Sequence, residues 1–542
     1  MKKLVAIILA LALILALSTT VMAADTTLKI EDAAGREYVG YQLLELTTSL
    51  KCADAQHDHG PECYNYGYAF KRNAQDDSVI DSAYFTIFQH EVFTYSSDLF
   101  WDTLGEARPG SVNAITEAHI LEYLNSQKGD DLDGYHTMRQ VADRLYRAII
   151  DANITPEETD LDAAGANIAQ GYWLIADVTD NLTGNNANSL VMIATKGQDN
   201  VTIHTKTALP TMEKKVKDID DSEDNDISDN AWGNTADHDI GDSIPFKLTG
   251  TLPSNAQYYQ TFKMVFHDTL SDALTLQKDS IKVLMYSTKY RADGDTDLNN
   301  YIKDVTDDFT RPDANQTGGE FSVGCDNVFA IEGVTKETAF VVYYEATLGE
   351  NAVIGGAGNI NTAHMDFSNN PYGNGTGTTK PSTVKVFTYK LTVNKTDPAG
   401  NPLPGAGFTL YKKNPDLTYT EVKKFDAGNA TTFTWTGLDN GDYMLEESEV
   451  PAGYNGMSDI RFTITAGLDN ERLELQSLDG GVIGQGDVAT GAITKDIVNN
   501  TGAVLPETGA EGTFLLITGG TMLVLVAVVF MITRKKMSIY ED

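Results

Sequence analysis

Side chains in a β-strand alternate between faces, so residues of equal parity share a face. Leu391, Val393 and Lys395 share one, as do Tyr443, Leu445 and Glu447, and again Ile497 and Asn499. Three polar groups thus point where the apolar ones point, into a core. A buried Lys or Glu is rare unless compensated. A buried ion pair, or a twisted strand end that lets the lysine reach water, would meet that requirement. Chemistry offers a second solution. Desolvation lowers the amine pKa and raises that of the carboxyl. A neutral Lys395 amine can then attack the Asn499 amide while the Glu447 carboxyl hydrogen-bonds the amide carbonyl and shuttles protons. The product is a Lys–Asn isopeptide bond, with loss of ammonia. Asn500 is the alternative partner; parity favours Asn499.

The same pattern occurs earlier in the chain. Met212, Lys214 and Val216 share a face, as do Ile240, Asp242, Ile244 and Phe246, and Met365, Phe367 and Asn369. The expected bond joins Lys214 to Asn369 with Asp242 as catalyst. Lys215 and Asn370 remain open, because a β-bulge would exchange the faces. Lys29 lies between Leu28 and Ile30 and points outward, so no bond is expected there. In 201–206 the parity is reversed: Val201 and Ile203 face in, while His204 and Lys206 face out.

A different chemistry is written at the carboxy end. Leu505-Pro506-Glu507-Thr508-Gly509 is followed by an apolar run from Thr513 to Thr533 and then by Arg534, Lys535 and Lys536. The run is about 20 residues, enough for a transmembrane helix. The trailing cations favour the cytoplasmic side. At the amino end, Lys2 and Lys3 precede an apolar stretch from Leu4 to Leu17, and Val21-Met22-Ala23 offers a cleavage site. Residues 1–23 therefore read as a signal peptide.

The elements that must position these groups are mainly strands. Residues 24–207 read as a mixed α+β domain. It has helices over 111–127 and 135–153 and strands over 38–46, 171–178, 189–194 and 201–206. Beyond Pro210 helical spacing almost vanishes, and short alternating strands with Gly, Asn and Asp turns suggest β-sandwiches. The Gly/Asn/Thr-rich stretch 369–383 divides them, giving domains over 208–385 and 386–503, with a sorting segment over 504–542. The fold class is thus mainly β, with tandem Ig-like sandwiches after the mixed domain. Of 542 residues, 77 are acidic against 40 Lys plus Arg, a formal charge of −37. Such a surface repels nucleic acid. Cysteine is limited to Cys52, Cys63 and Cys325, so an exported chain of this size must be held together by something other than disulfides.

The carboxy end resembles the sorting signal of Gram-positive surface proteins, whose LPxTG is cut between Thr and Gly by sortase, a membrane transpeptidase with a cysteine nucleophile. Residues 443–454 (YMLEESEVPAGY) resemble the pilin E-box YxLxETxAPxGY, with Ser448 and Val450 as departures. Lys395-Thr396-Asp397 through Leu403–Leu410 resembles the start of a Cna-B-type domain. Residues 240–244 (IGDSI) and 367–371 (FSNNP) resemble parts of the isopeptide-forming fimbrial domain. VTIHTK at 201–206 resembles the pilin motif VxVYPK, keeping the lysine but not Tyr-Pro.

The resemblance is to the backbone pilins of sortase-assembled pili, and it implies roles. Lys395 and Asn499 would be joined with Glu447 as catalyst. Lys206 would attack the sortase thioester formed at Thr508 of another copy, for which an exposed amine is suited. Head-to-tail linkage between different surfaces does not close, so it gives a filament. The implied partners are identical subunits, pilus-specific and housekeeping sortases, and peptidoglycan, with ancillary pilins and host-surface ligands beyond them. The alternative function is a monomeric wall-anchored adhesin or tip pilin.

Other candidates carry less. Cys52, His57, His59 and Cys63 could ligate zinc, but an extracellular setting favours a Cys52–Cys63 disulfide. Asp293, Asp295 and Asp297 copy the opening of a calcium loop, yet Leu298 stands where Gly is needed. Residues 218–229 read as a solvated acidic loop. There is no P-loop, dinucleotide fingerprint, His-Glu-x-x-His or nucleophile elbow, so neither an enzyme, a cofactor nor a metal is expected.

Overall fold

The computed structural model describes residues 25–31, 33–50, 64–127, 132–204, 207–219, 232–502, 522–529 and 531. Within 25–204, a five-stranded antiparallel sheet sits between two layers. Its strands are Tyr64–Ala69, Tyr38–Leu50, Gly171–Asp177 and Leu190–Ala194, with Glu158–Leu161 beside Tyr38–Leu50. Leu174 and Ala176 face the helices Ala83–Tyr95, Asp98–Leu104, Glu117–Ser126 and Leu132–Asp151. Trp173 and Ile175 face a three-stranded sheet of Ala166–Ile168, Thr26–Glu31 and Asn200–His204. The central strand is therefore apolar on both faces.

The expected helices occur as Glu117–Ser126, after a 3₁₀ turn at Val112–Ala114, and Leu132–Asp151. Two more fall where no element was expected. Ala83–Tyr95 is rich in aromatic and β-branched residues, a strand-like composition. Its start is fixed by Ser82, whose side chain accepts from the Tyr84 N–H. The expected alternation at 201–204 is present: Val201 and Ile203 are buried, Thr202 and His204 exposed. Lys29 is exposed, as its parity requires.

Residues 212–387 form a sandwich organised by one long strand, Met264–Tyr286. Residues 264–270 of that strand pair with Asn359–Ser368 on one side and Thr317–Cys325 on the other. Residues 274–286 pair with Ala339–Leu348. That strand in turn pairs with Ser243–Thr251, and Ser243–Thr251 with Met212–Lys217. One core of Phe246, Leu248, Phe266, Val342, Tyr344, Met365 and Phe367 fills the interior.

Residues 389–498 form a second sandwich. Tyr389–Thr396 lies between Thr432–Leu438 and Ala492–Val498, pairing in parallel with the latter so that Lys395 stands opposite Ile497. The facing sheet runs Tyr419–Phe425, Gly407–Lys413, Gly441–Glu449, Ile460–Asp469, Glu474–Asp479. The two sandwiches are in contact. Asn470 Oδ1 accepts from the Asn234 and Thr235 N–H groups, and Lys412 Nζ lies 2.6 Å from both Asp239 and Asp439. Gly437, at φ +79°, accepts at its carbonyl from the Ile240 N–H and packs so closely on Ile240 that a Cβ there would lie 2.6 Å from the Ile240 side chain.

Among the described residues no helix is long and apolar enough to cross a membrane. Residues 522–529 and 531 are helical and exposed. The signal peptide, Cys52 and Cys63, Lys206, Leu505–Gly509, the remainder of the apolar run and residues 220–231 lie outside the described residues.

Candidate cross-linking sites

In the second sandwich the three expected groups meet between the sheets. Lys395 follows Leu391 and Val393 on the inner face of Tyr389–Thr396, and its side chain is fully buried. Asn499 comes just after Ala492–Val498, with its backbone N–H on the Thr396 carbonyl. Glu447 reaches across from the opposite sheet. Its Oε1 lies 3.9 Å from Lys395 Nζ and accepts from Asn499 Nδ2 at 2.7 Å, while Oε2 accepts from the Met457 N–H at 2.8 Å. Lys395 Nζ donates to the Ile497 carbonyl at 3.0 Å. Burial holds the Lys395 amine below its ordinary value, with the nearby Glu447 charge acting against it.

The contact differs in one respect from expectation. Glu447 touches the amide nitrogen of Asn499, the prospective leaving group, and not its carbonyl. Asn499 Oδ1 is buried without a hydrogen-bond partner. Asn500 is exposed, so the parity choice between the two agrees with their placement.

Lys214 in the first sandwich is fully buried, packed against the Phe246 and Tyr344 rings with Nζ 5.1 Å from each centroid. Its partners are not those expected. Nζ forms a short contact with Asp268 Oδ2 and donates to the Tyr344 hydroxyl at 2.8 Å. That hydroxyl donates to Asp268 Oδ2 at 2.8 Å and accepts from Asn361 Nδ2 at 2.7 Å. Tyr344 thus uses its single proton and both lone pairs to join lysine, carboxyl and amide. Burial pushes the Lys214 amine down and the Asp268 carboxyl up, so desolvation favours the uncharged pair. Asp268 Oδ1 and Asn361 Oδ1 are both buried without partners.

Asp242 and Asn369 lie elsewhere. Asp242 precedes the strand Ser243–Thr251, in a turn containing Gly241 at φ +104°, so strand parity does not apply to it. It pairs with His238 at 3.5 Å. Asn369 lies past the end of Asn359–Ser368, where its Nδ2 donates to the Leu182 carbonyl and its own carbonyl accepts from Asn188 N. Asn369 therefore serves the contact with the amino-terminal body. Lys215 faces outward to Glu213 and Asn234, and Asn370 accepts from Tyr372 N.

Parity could have found the observed set. Asp268 shares a face with Phe266, and Asn361 shares one with Ala363 and Met365. The same rule admitted Asn369 as well, and only the position of the strand end separates the two.

Residues 389–477 match a family described as a prealbumin-like fold domain, SpaA, and residues 497–538 match the LPXTG cell wall anchor motif. The chain is 25% identical over 283 residues to the trypsin-resistant surface T6 protein of Streptococcus pyogenes serotype M6, a match covering 48% of this chain and 46% of that protein. The match thus spans about half the length of this relative. Among solved structures, the T6 backbone pilin of serotype M6 Streptococcus pyogenes is 16% identical, covering 89% of this chain and 99% of that one with a TM-score of 0.45. The major pilin SpaD of Corynebacterium diphtheriae is 16% identical, covering 89% and 98%, with a TM-score of 0.39. The chain is accordingly a mainly β, cell-surface, wall-anchored protein with an LPXTG anchor and a prealbumin-like domain, related in sequence to a streptococcal surface protein.

Proposed function

We propose that the chain is the shaft subunit of a sortase-assembled pilus, a structural protein and not an enzyme. The observation that carries this reading is the repetition, in two tandem sandwiches, of a fully buried lysine set against a buried carboxyl and a buried asparagine amide. Such sets suit domains that tie themselves shut. Sortase cleaves after Thr508, and the acyl group passes to Lys206 of another copy, or finally to a peptidoglycan amine. In cell-wall extracts the chain should run as a ladder that survives boiling in detergent. Monomer alone would refute the shaft reading and leave the anchored adhesin.

Within the sandwiches, the neutral Nζ of Lys395 attacks Cγ of Asn499. The Nζ–Cγ bond forms, the Cγ–Nδ2 bond breaks, and Nδ2 leaves as ammonia with a proton delivered through Glu447. In the first sandwich Lys214 and Asn361 are the bonded pair, with Asp268 as the proton carrier in place of Asp242.

Tyr344 bridges all three groups there and relays the proton to the departing amide nitrogen. Tyr344→Phe should slow formation of the Lys214–Asn361 bond by roughly 100-fold or more, the usual weight of a positioned acid or base. Mass spectrometry after refolding reads this directly. Ammonia loss at the parental rate would remove Tyr344 from the relay.

A further inference from the structure

The outer face of the first sandwich carries a second constellation, on the reverse of the strands that supply Asp268 and Asn361. His267 on Met264–Tyr286 stands directly opposite His364 on Asn359–Ser368, and Asp366 follows two residues later on the same face. All three are half-buried, and one donor atom from each lies within 4.8 Å of the others. His267 Nε2 and Asp366 Oδ2 are 3.3 Å apart. Two ligands each about 2.0–2.1 Å from a tetrahedral zinc ion are separated by roughly that distance.

The surrounding groups fix these donors. His267 Nδ1 lies 3.1 Å from Glu320 Oε1 on the neighbouring strand Thr317–Cys325. A carboxylate that takes the Nδ1 proton leaves the lone pair on Nε2, which is the usual support of a metal-binding histidine. Asp366 Oδ1 accepts from Thr378 Oγ1 at 2.6 Å, leaving Oδ2 for another partner. The His364 ring is stacked on that of His267, with centroids 4.9 Å apart and planes 9° from parallel. A turn of His364 about its Cβ–Cγ bond would aim a ring nitrogen between the other two donors.

We propose that His267, His364 and Asp366 form a three-ligand site for a divalent transition-metal ion, with Glu320 and Thr378 as supports and the fourth position open to water. Two imidazoles and a carboxylate suit zinc and its neighbours better than calcium or magnesium. The ion would staple Met264–Tyr286 to Asn359–Ser368. Its ligands form no short motif, because His267 is almost 100 residues from His364 and Asp366 in the chain.

The test is calorimetric titration of the chelator-treated soluble ectodomain with zinc chloride, on a Cys52→Ser/His57→Ala/His59→Ala/Cys63→Ser background so that none of the four candidate ligands of this loop contributes. Saturable uptake of one ion is expected. His364→Ala should weaken it at least tenfold, and Glu320→Gln, which removes only a support, by about tenfold. No saturable uptake would overturn the proposal. So would uptake unchanged in His364→Ala, or, should that variant fail to fold, unchanged in Glu320→Gln.

Discussion

The intact mass of the soluble ectodomain should fall short of its sequence mass by two ammonias, about 17 Da for each cross-link. Glu447→Gln should restore one and Asp268→Asn the other, because each exchange keeps the side-chain shape and removes the proton carrier. A full sequence mass for the parent would sink the cross-links altogether. Restoration of the second ammonia by Asp242→Asn, and not by Asp268→Asn, would return the first sandwich to its sequence-based assignment. The stability effect should be large. Closing a loop of about 100 residues constrains the unfolded chain by ~4.7 kcal/mol in the chain-entropy treatment of cross-links. For a domain of this size that is roughly 20–35 °C in Tm.

The uncross-linked Glu447→Gln protein should also acquire a pH dependence that the parent lacks. Burial lowers the Lys395 pKa in the folded state, so the unfolded chain binds the proton more readily. Stability then rises with pH, from the depressed folded value up to the ordinary lysine value of about 10.4. An amide nitrogen does not titrate there, so the bonded parent should show no such rise from this group.

Lys206→Ala has the second large effect expected. Under the proposed polymerisation every inter-subunit bond uses this one amine, so the ladder in wall extracts should collapse to anchored monomer. Thr508 would still be cleaved and passed to peptidoglycan, and total surface protein should change little. An unchanged ladder would place the acceptor on another lysine. The preceding strand already shows the alternation that would display this amine, with Val201 and Ile203 buried and His204 exposed. Lys206→Arg is the informative companion. It keeps the charge but not a readily deprotonated amine, and should also fail to polymerise.

Much of this was legible from parity alone. Lys214, Lys395, Glu447 and Asn499 are buried as the alternation of their strands requires, because in a sandwich one face of each strand has nowhere to go but the core. Parity misleads at Asp242 and Asn369 for different reasons: Asp242 lies in the turn with Gly241 before its strand begins, whereas Asn369 is buried as the alternation requires but past the strand end, against Leu182 and Asn188 of the amino-terminal body. It was silent on Asp268 because the long strand Met264–Tyr286 was not anticipated, and on Tyr344 because a core tyrosine attracts no notice until its hydroxyl is seen among charged partners. The helices at Ala83–Tyr95 and Asp98–Leu104 escaped for a different reason, since serine caps and tertiary packing outweigh a strand-like composition.

The parallel pairing of Tyr389–Thr396 with Ala492–Val498 has an evolutionary consequence. The chain enters this sandwich on its first strand and leaves beside the end of that same strand, where Lys395 and Asn499 lie. Once those two are bonded, a pull on the exit passes through Asn499 into Lys395 and back along the strand to Tyr389. Everything from Thr396 to Val498 is then bypassed by the load. Those loops and strands then answer only to the requirement that the domain fold once, long enough for the bond to form. An immune system could drive their exposed sequence far without weakening that covalent path.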